Sequence, residues 1–210
     1  ITYANCLEVK KATLAVQMKT DNTTAPTPPE SPAAYCPSGT PAAAYPKPVD
    51  ITFEDDFELG ETNWTKTGSA WIWDGTVGDL GRNAKSGLHF MYAANYLPNA
   101  DSSLRTSSAY LIPAGAYLHF AHSFSLEDGV DGGVVEYSTN GTTWVDMSTL
   151  TTVNGYNGTI SAAGGIPGFT GSSYGYTATR YDLSTLAGET VYFRWRIITD
   201  GNYDPSDTQD

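Results

Sequence analysis

The sequence predicts an all-β fold, an antiparallel β-sandwich of jelly-roll type, preceded by one N-terminal helix and a proline-rich linker. Three observations carry this. Gly (21) and Tyr (14) are abundant while charged residues reach only 16%, a balance suited to many short strands and tight turns. From Ile51 onward, short runs alternate large apolar or aromatic residues with polar ones, the period-2 signature of half-buried strands. The length of 210 residues accommodates one ordinary domain with an appendage.

The elements follow from composition. Residues 1–18 contain no Gly or Pro, and Asn5 with Glu8 three later forms a capping-box-like pair. A helix is expected there. Its apolar residues, Tyr3, Cys6, Leu7, Val9, Leu14, Val16 and Met18, spread around much of the circumference, as for a helix buried against something larger. Residues 19–50 hold eight of the 12 prolines and read as a semi-extended linker. Residues 51–210 form the sandwich, with strands expected in ITFEDDFE, AWIW, LHFMYAA, AYLIP, AYLHFAHSFSLE, GGVVEYST, TTWVDMS and ETVYFRWRIIT. Asn140-Gly141 marks a hairpin turn. The Gly/Ser/Tyr-rich stretch 151–177 is long for a loop, either a functional excursion, a disordered insertion or a packed surface loop.

Charge narrows the partners. A formal charge of -12 and a pI near 4.4 repel nucleic acid and anionic membranes, and no apolar run is long enough to insert in a bilayer. The N-terminus, Ile1 to Lys10, has neither a basic nor an apolar signal region. The two cysteines, Cys6 and Cys36, bracket the segment least able to hold itself in place. A disulfide between them is expected, worth about 3–4 kcal/mol on a chain-entropy account; the other reading is two buried thiols. A disulfide places the chain outside the cell.

Chemistry is expected to be absent. No HExxH zinc motif and no G-x-S-x-G elbow occurs. His119 and His122, three apart on a strand, point to opposite faces. Binding is the better expectation. Asp50, Glu54, Asp55, Asp56, Glu58 and Glu61 crowd twelve residues. On a strand from Ile51, Glu54, Asp56 and Glu58 share one face, and hard oxygen donors select calcium; the alternative is a solvated acidic edge. Asp128 and Asp131 in LEDGVDGG form a second acidic cluster with the same two readings. Trp71 and Trp73 share a sheet face and, with Tyr156, Tyr174 and Tyr176, are candidate ligand-binding aromatics.

In order, FEDDFELGETNW, AKSGLHFMY, SLRTSSAYLIPAG, VDGGVVEYSTNGTTWVDM and YDLSTLAGETVYFRWRIITDG resemble the MAM-like jelly-roll modules appended to secreted bacterial metallopeptidases of the immune inhibitor A and fungalysin/thermolysin-like types. ITYANCLEVKKATLAVQM resembles the last helix of such a catalytic domain. The resemblance implies a non-catalytic, secreted or cell-surface accessory module serving adhesion to protein or glycan. It also implies a structural calcium between Glu58, carbonyls of Ser86-Gly87 and an Asp of the last strand, and packing roles for Trp144 and Trp195. The family's closing Gly-aromatic-Ile-Asp-Asp strand has no counterpart here. Either the native chain is longer, or Ile1–Met18 or a neighbour's terminus fills the open edge. The latter describes a structural subunit of an extracellular filament built by strand exchange. A carbohydrate-binding adhesin module is the remaining alternative.

Overall fold

A computed structural model describes residues 17–20, 51–74, 84–94 and 97–202. Among these the regular structure is antiparallel strand with three short 3-10 turns. One sheet orders β11 (Thr152–Val153), β14 (Thr177–Asp182), β8 (Ala116–His122), β1 (Gln17–Thr20) and β2 (Ile51–Phe53). The other orders β10 (Val145–Asp146), β9 (Gly132–Ser138), β15 (Thr190–Ile198), β6 (Asp101–Thr106) and β3 (Trp64–Thr67), with β7 (Tyr110–Leu111) paired to the start of β15. Two small ribbons complete the set, β4 (Trp71–Asp74) with β5 (Phe90–Ala93), and β12 (Gly158–Ile160) with β13 (Ile166–Gly168).

The sheets meet over one apolar layer, as in a sandwich. Leu118, Phe120 and Tyr181 from the first face Leu104, Val135 and Phe193 from the second. Aromatic rings fasten the layer: Trp195 meets Phe120 edge-on at 5.2 Å and Trp64 at 5.7 Å, and Trp64 meets Phe53 at 5.9 Å. Alternation along β15 is strict on the inner side, with Val191, Phe193, Trp195 and Ile197 inward and Tyr192, Arg194, Arg196 and Ile198 outward.

Two expectations change. The helix over 1–18 does not extend to its end, because Gln17 and Met18 belong to β1, paired on one side to β8 and on the other to β2. Completing both ladders overrides local helix propensity. The remainder of that helix and residues 21–50 lie outside the described residues, as do Cys6 and Cys36. The Asn140-Gly141 turn is present, but between β9 and β10 it spans residues 139–144. Only Gly141 takes a positive φ; the Asn140 side chain instead accepts from the Thr142 and Thr143 amides at 2.9 and 2.8 Å.

The stretch 151–177 is a packed excursion. Ile160, fully buried, lies with Val134 and Ile198 on the outward side of the six-stranded sheet. A Cβ added at Gly132 or at Gly168 would sit 2.2 Å from its Cδ1. Two glycines thus make the hole that one isoleucine fills. Asn157 reinforces it, donating to the Thr170 carbonyl at 2.7 Å and accepting from the Thr170 amide at 2.9 Å.

Gly132→Ala is therefore expected to destabilise the fold by about 2–3 kcal/mol through overpacking. Ile160→Ala is expected to cost about 2–4 kcal/mol through the cavity. The two should be strongly non-additive, Gly132→Ala costing less where Ile160 is already alanine. Denaturant titration of the four chains measures this, and simple additivity would refute the peg-and-hole packing.

Candidate functional site

The acidic loop after β2 is not a strand. β2 ends at Phe53, and Asp55 turns the chain: its Oδ1 accepts from the Phe57 amide at 2.8 Å, its Oδ2 from Asn63 Nδ2 at 3.0 Å and Trp64 Nε1 at 2.9 Å. Phe57 takes φ 61°, costly for a bulky residue, and burial of its ring in the core offsets that cost. Glu54, Asp56 and Glu58 consequently do not line one strand face. Glu54 is exposed, Asp56 Oδ1 accepts from the Glu58 amide at 3.2 Å, and Glu61 pairs with Lys66 at 2.7 Å.

Glu58 is carried to the turn at residues 86–89. Its Oε1 accepts from the Leu88 and His89 amides at 2.8 and 2.9 Å, and its Oε2 lies 3.3 Å from His89 Nδ1. Gly87, at φ 70°, has no room for a side chain, since a Cβ there would lie 2.2 Å from Oε1. The His89 ring stacks on Trp73 at 4.3 Å with 4° between planes, and Trp73 Nε1 donates to the Phe57 carbonyl at 2.8 Å. These contacts make a closed circuit, Glu58 to His89 to Trp73 to Phe57. The His89 amide foremost, then the Leu88 amide and the imidazole, hold the Glu58 carboxyl below its ordinary pKa of 4.5. The Ser86 hydroxyl oxygen is buried in this turn without a hydrogen-bond partner. In the acidic loop itself, Glu54, Asp55, Asp56, Leu59 and Gly60, but neither Glu58 nor Ser86, line an oxygen-rich depression of about 290 Å³. Carboxylate oxygens of this kind suit a hard cation.

The second acidic cluster differs in membership from the sequence expectation. Asp131, 5% exposed, meets Glu127 and Asp200, with carboxylate oxygens within 4.8 Å of one another. Its Oδ1 also accepts from the Asp200 amide at 2.8 Å. Asp128 is exposed and turns instead toward Gly171. Glu127 was visible beside it in LEDGVDGG, but Asp200 arrives only through the pairing of Gly132 with Ile198.

The candidate ligand-binding aromatics do not share a surface. Trp71 and Trp73 pack against the core and donate inward, Trp71 to the Ser102 carbonyl at 3.2 Å. Tyr156 is a strut: its hydroxyl accepts from the Val135 amide at 2.7 Å and lies 3.0 Å from the Val135 carbonyl and 3.1 Å from Asp146 Oδ2. Burial pushes its phenol pKa up. Tyr176 is half-buried and Tyr174 is 92% exposed. Of the histidines, His119 lies opposite Arg180 on β14, while His122 packs among Phe120, Phe124 and Phe169. Burial lowers the His122 pKa to about 4.

Because the folded pKa of Glu58 is depressed, its contribution to stability is full above the ordinary carboxyl pKa and is lost as pH falls through the folded value. Glu58→Gln is expected to cost about 1–2 kcal/mol at neutral pH and to flatten the acid limb of the stability profile. Urea titrations of both chains between pH 7 and 3 check this; parallel profiles would show that the carboxylate does not anchor the turn.

No family model matches this chain, and no curated protein matches it.

Proposed function

We infer that the chain is a non-catalytic extracellular accessory module, an MAM-like jelly roll from a secreted metallopeptidase, that attaches to a protein or glycan surface. The observation that carries this reading is the meeting of Glu58 with the Ser86-Gly87 turn. These two segments, some thirty residues apart, are the ones that the resemblance links through a structural ion. The absence of HExxH from the sequence assigns any peptidase chemistry to a separate catalytic part. The reading requires the parent gene to encode an HExxH-bearing domain directly upstream, and a complete reading frame without one would remove the peptidase from it.

Calcium is the cofactor of this reading. Asp56 and Glu58 would supply carboxylates, and the Ser86-Gly87 turn a hydroxyl or carbonyl oxygen. A bound divalent ion would neutralise carboxylates that repel one another and tie the acidic loop to the turn. At an extracellular affinity of about 0.1–1 mM, millimolar calcium contributes about 0.5–1.5 kcal/mol. The melting temperature is expected to rise with calcium and return with EDTA, and Glu58→Gln to abolish the shift. Asp131→Asn is expected to keep it, separating this loop from the Glu127, Asp131 and Asp200 cluster. An unchanged melting temperature with EDTA would remove calcium from the account.

A second reading, assembly by strand exchange, is favoured by the placement of β1 between β8 and β2. Thr20 and Ile51 end neighbouring antiparallel strands, yet 30 residues separate them, where a hairpin needs two to five. Closing so long a loop gives the chain's own β1 only a modest advantage over a second copy's. Light scattering is expected to show concentration-dependent oligomers under this reading, and a strict monomer throughout would reject it.

A further inference from the structure

One register row crosses the outward face of the six-stranded sheet: Glu136 on β9, Arg194 on β15, Arg105 on β6 and Thr65 on β3. Opposite charges side by side on a sheet stabilise it, and like charges directly opposite destabilise it. Arg194 is provided for, with Nη2 2.6 Å from Glu136 Oε2 and its guanidinium 4.2 Å from the Trp144 ring centre. Arg196, the next outward residue of β15, holds Asp101 through two bonds of 2.6 Å. Arg105 is half-buried and sits opposite Arg194. Its guanidinium lies 5.5 Å from the centre of the Tyr192 ring, and among the described residues no carboxylate pairs with it. In a chain of charge -12, this row thus holds a cation with no anion beside it among the described residues.

The surroundings specify what completes it. Thr65 Oγ1 and Ser107 Oγ, 3.1 Å apart, place two exposed hydroxyls beside Arg105. The Tyr192 ring is backed by Gly141 of the hairpin, where a Cβ would lie 3.4 Å from it. A planar guanidinium takes a carboxylate in bidentate fashion, an aromatic ring takes the apolar face of a sugar, and hydroxyls take its hydroxyls. From Tyr192 the outward positions of β15 run for about 20 Å to a groove of about 380 Å³ lined by Asp101, Ala162, Ile166, Arg196 and Ile198. The overall negative charge disfavours dense polyanions, which selects a ligand with isolated carboxylates over heavily sulfated or phosphorylated chains.

We propose that Arg105, with Tyr192 and the Thr65 and Ser107 hydroxyls, anchors a binding site for the carboxylate of a uronic acid in an acidic polysaccharide. The site rests on the attachment-module reading and gives its ligand class.

The test uses the whole chain, titrated calorimetrically with oligosaccharides in which uronic acids alternate with neutral sugars, and with the same oligosaccharides reduced at the carboxyl to neutral sugars. Binding is expected to the acidic form and to weaken by about tenfold or more, a loss of roughly 1.4 kcal/mol, on carboxyl reduction or in Arg105→Ala. Lys66→Ala is expected to bind as the unsubstituted chain does, and matched melting temperatures show that the variants are folded. Equal binding of the reduced form, or binding unaffected by Arg105→Ala, overturns the site. Equal binding of poly-glutamate overturns the sugar assignment. Absence of oligouronate binding with retained binding to a neutral glycan or a protein sinks this site alone and leaves the attachment module standing.

Discussion

The two sheets are joined at Trp195. Its ring meets Phe120 of the facing sheet edge-on and, in the same geometry, Trp64 of β3, two strands away in its own sheet, the arrangement that the aromatic quadrupole favours. Once Trp195 faces inward, the pleat leaves no choice for the rest of β15. Tyr192, Arg194 and Arg196 must face outward, and the partner strands bring Glu136 and Arg105 to the same surface. A one-residue slip would drive three polar side chains into the aromatic layer and expose Trp195. The charged surface and the apolar core are thus two consequences of a single register.

Much of this was legible from residue order. The alternation in AYLHFAH, GGVVEYS and TVYFRWRII is the alternation of β8, β9 and β15, and the turn at Asn140-Gly141 lies where its residues place it. The strand β6, DSSLRT, was not legible because it reads as polar. Its buried hydroxyls do structural work that the pattern conceals: Ser102 accepts from the Ala70 amide at 3.3 Å and Thr106 from the Phe193 amide at 3.2 Å. A hydroxyl that is fully bonded can occupy a core position at little cost, so hydrophobic periodicity passes over it.

The candidate sites divide along similar lines. Glu58 and Ser86-Gly87 were named from the sequence and do meet, whereas the strand face expected for Glu54, Asp56 and Glu58 gives way to a loop. The side chain of Asp55 finds its hydrogen bonds locally, which bends the backbone before a strand can continue. Asp200 and Arg105 left no local trace at all. Each acquires its meaning from a strand far away in sequence, and a chain read residue by residue does not disclose the register that pairs them. The aromatic residues singled out from sequence are mostly struts, because a Trp or Tyr whose polar atom finds a backbone partner is as useful inside as at a surface.

The last described strand, β15, is also the centre of its sheet, with β9 on one side and β6 on the other. During synthesis both neighbours leave the ribosome first, and neither pairs with the other. Until residues 190–198 emerge, β6 and β9 each present unsatisfied edges, the state most prone to mispairing. Completion of this sheet therefore follows translation of β15, while the β3–β6 and β9–β10 pairs and the whole of the facing sheet precede it.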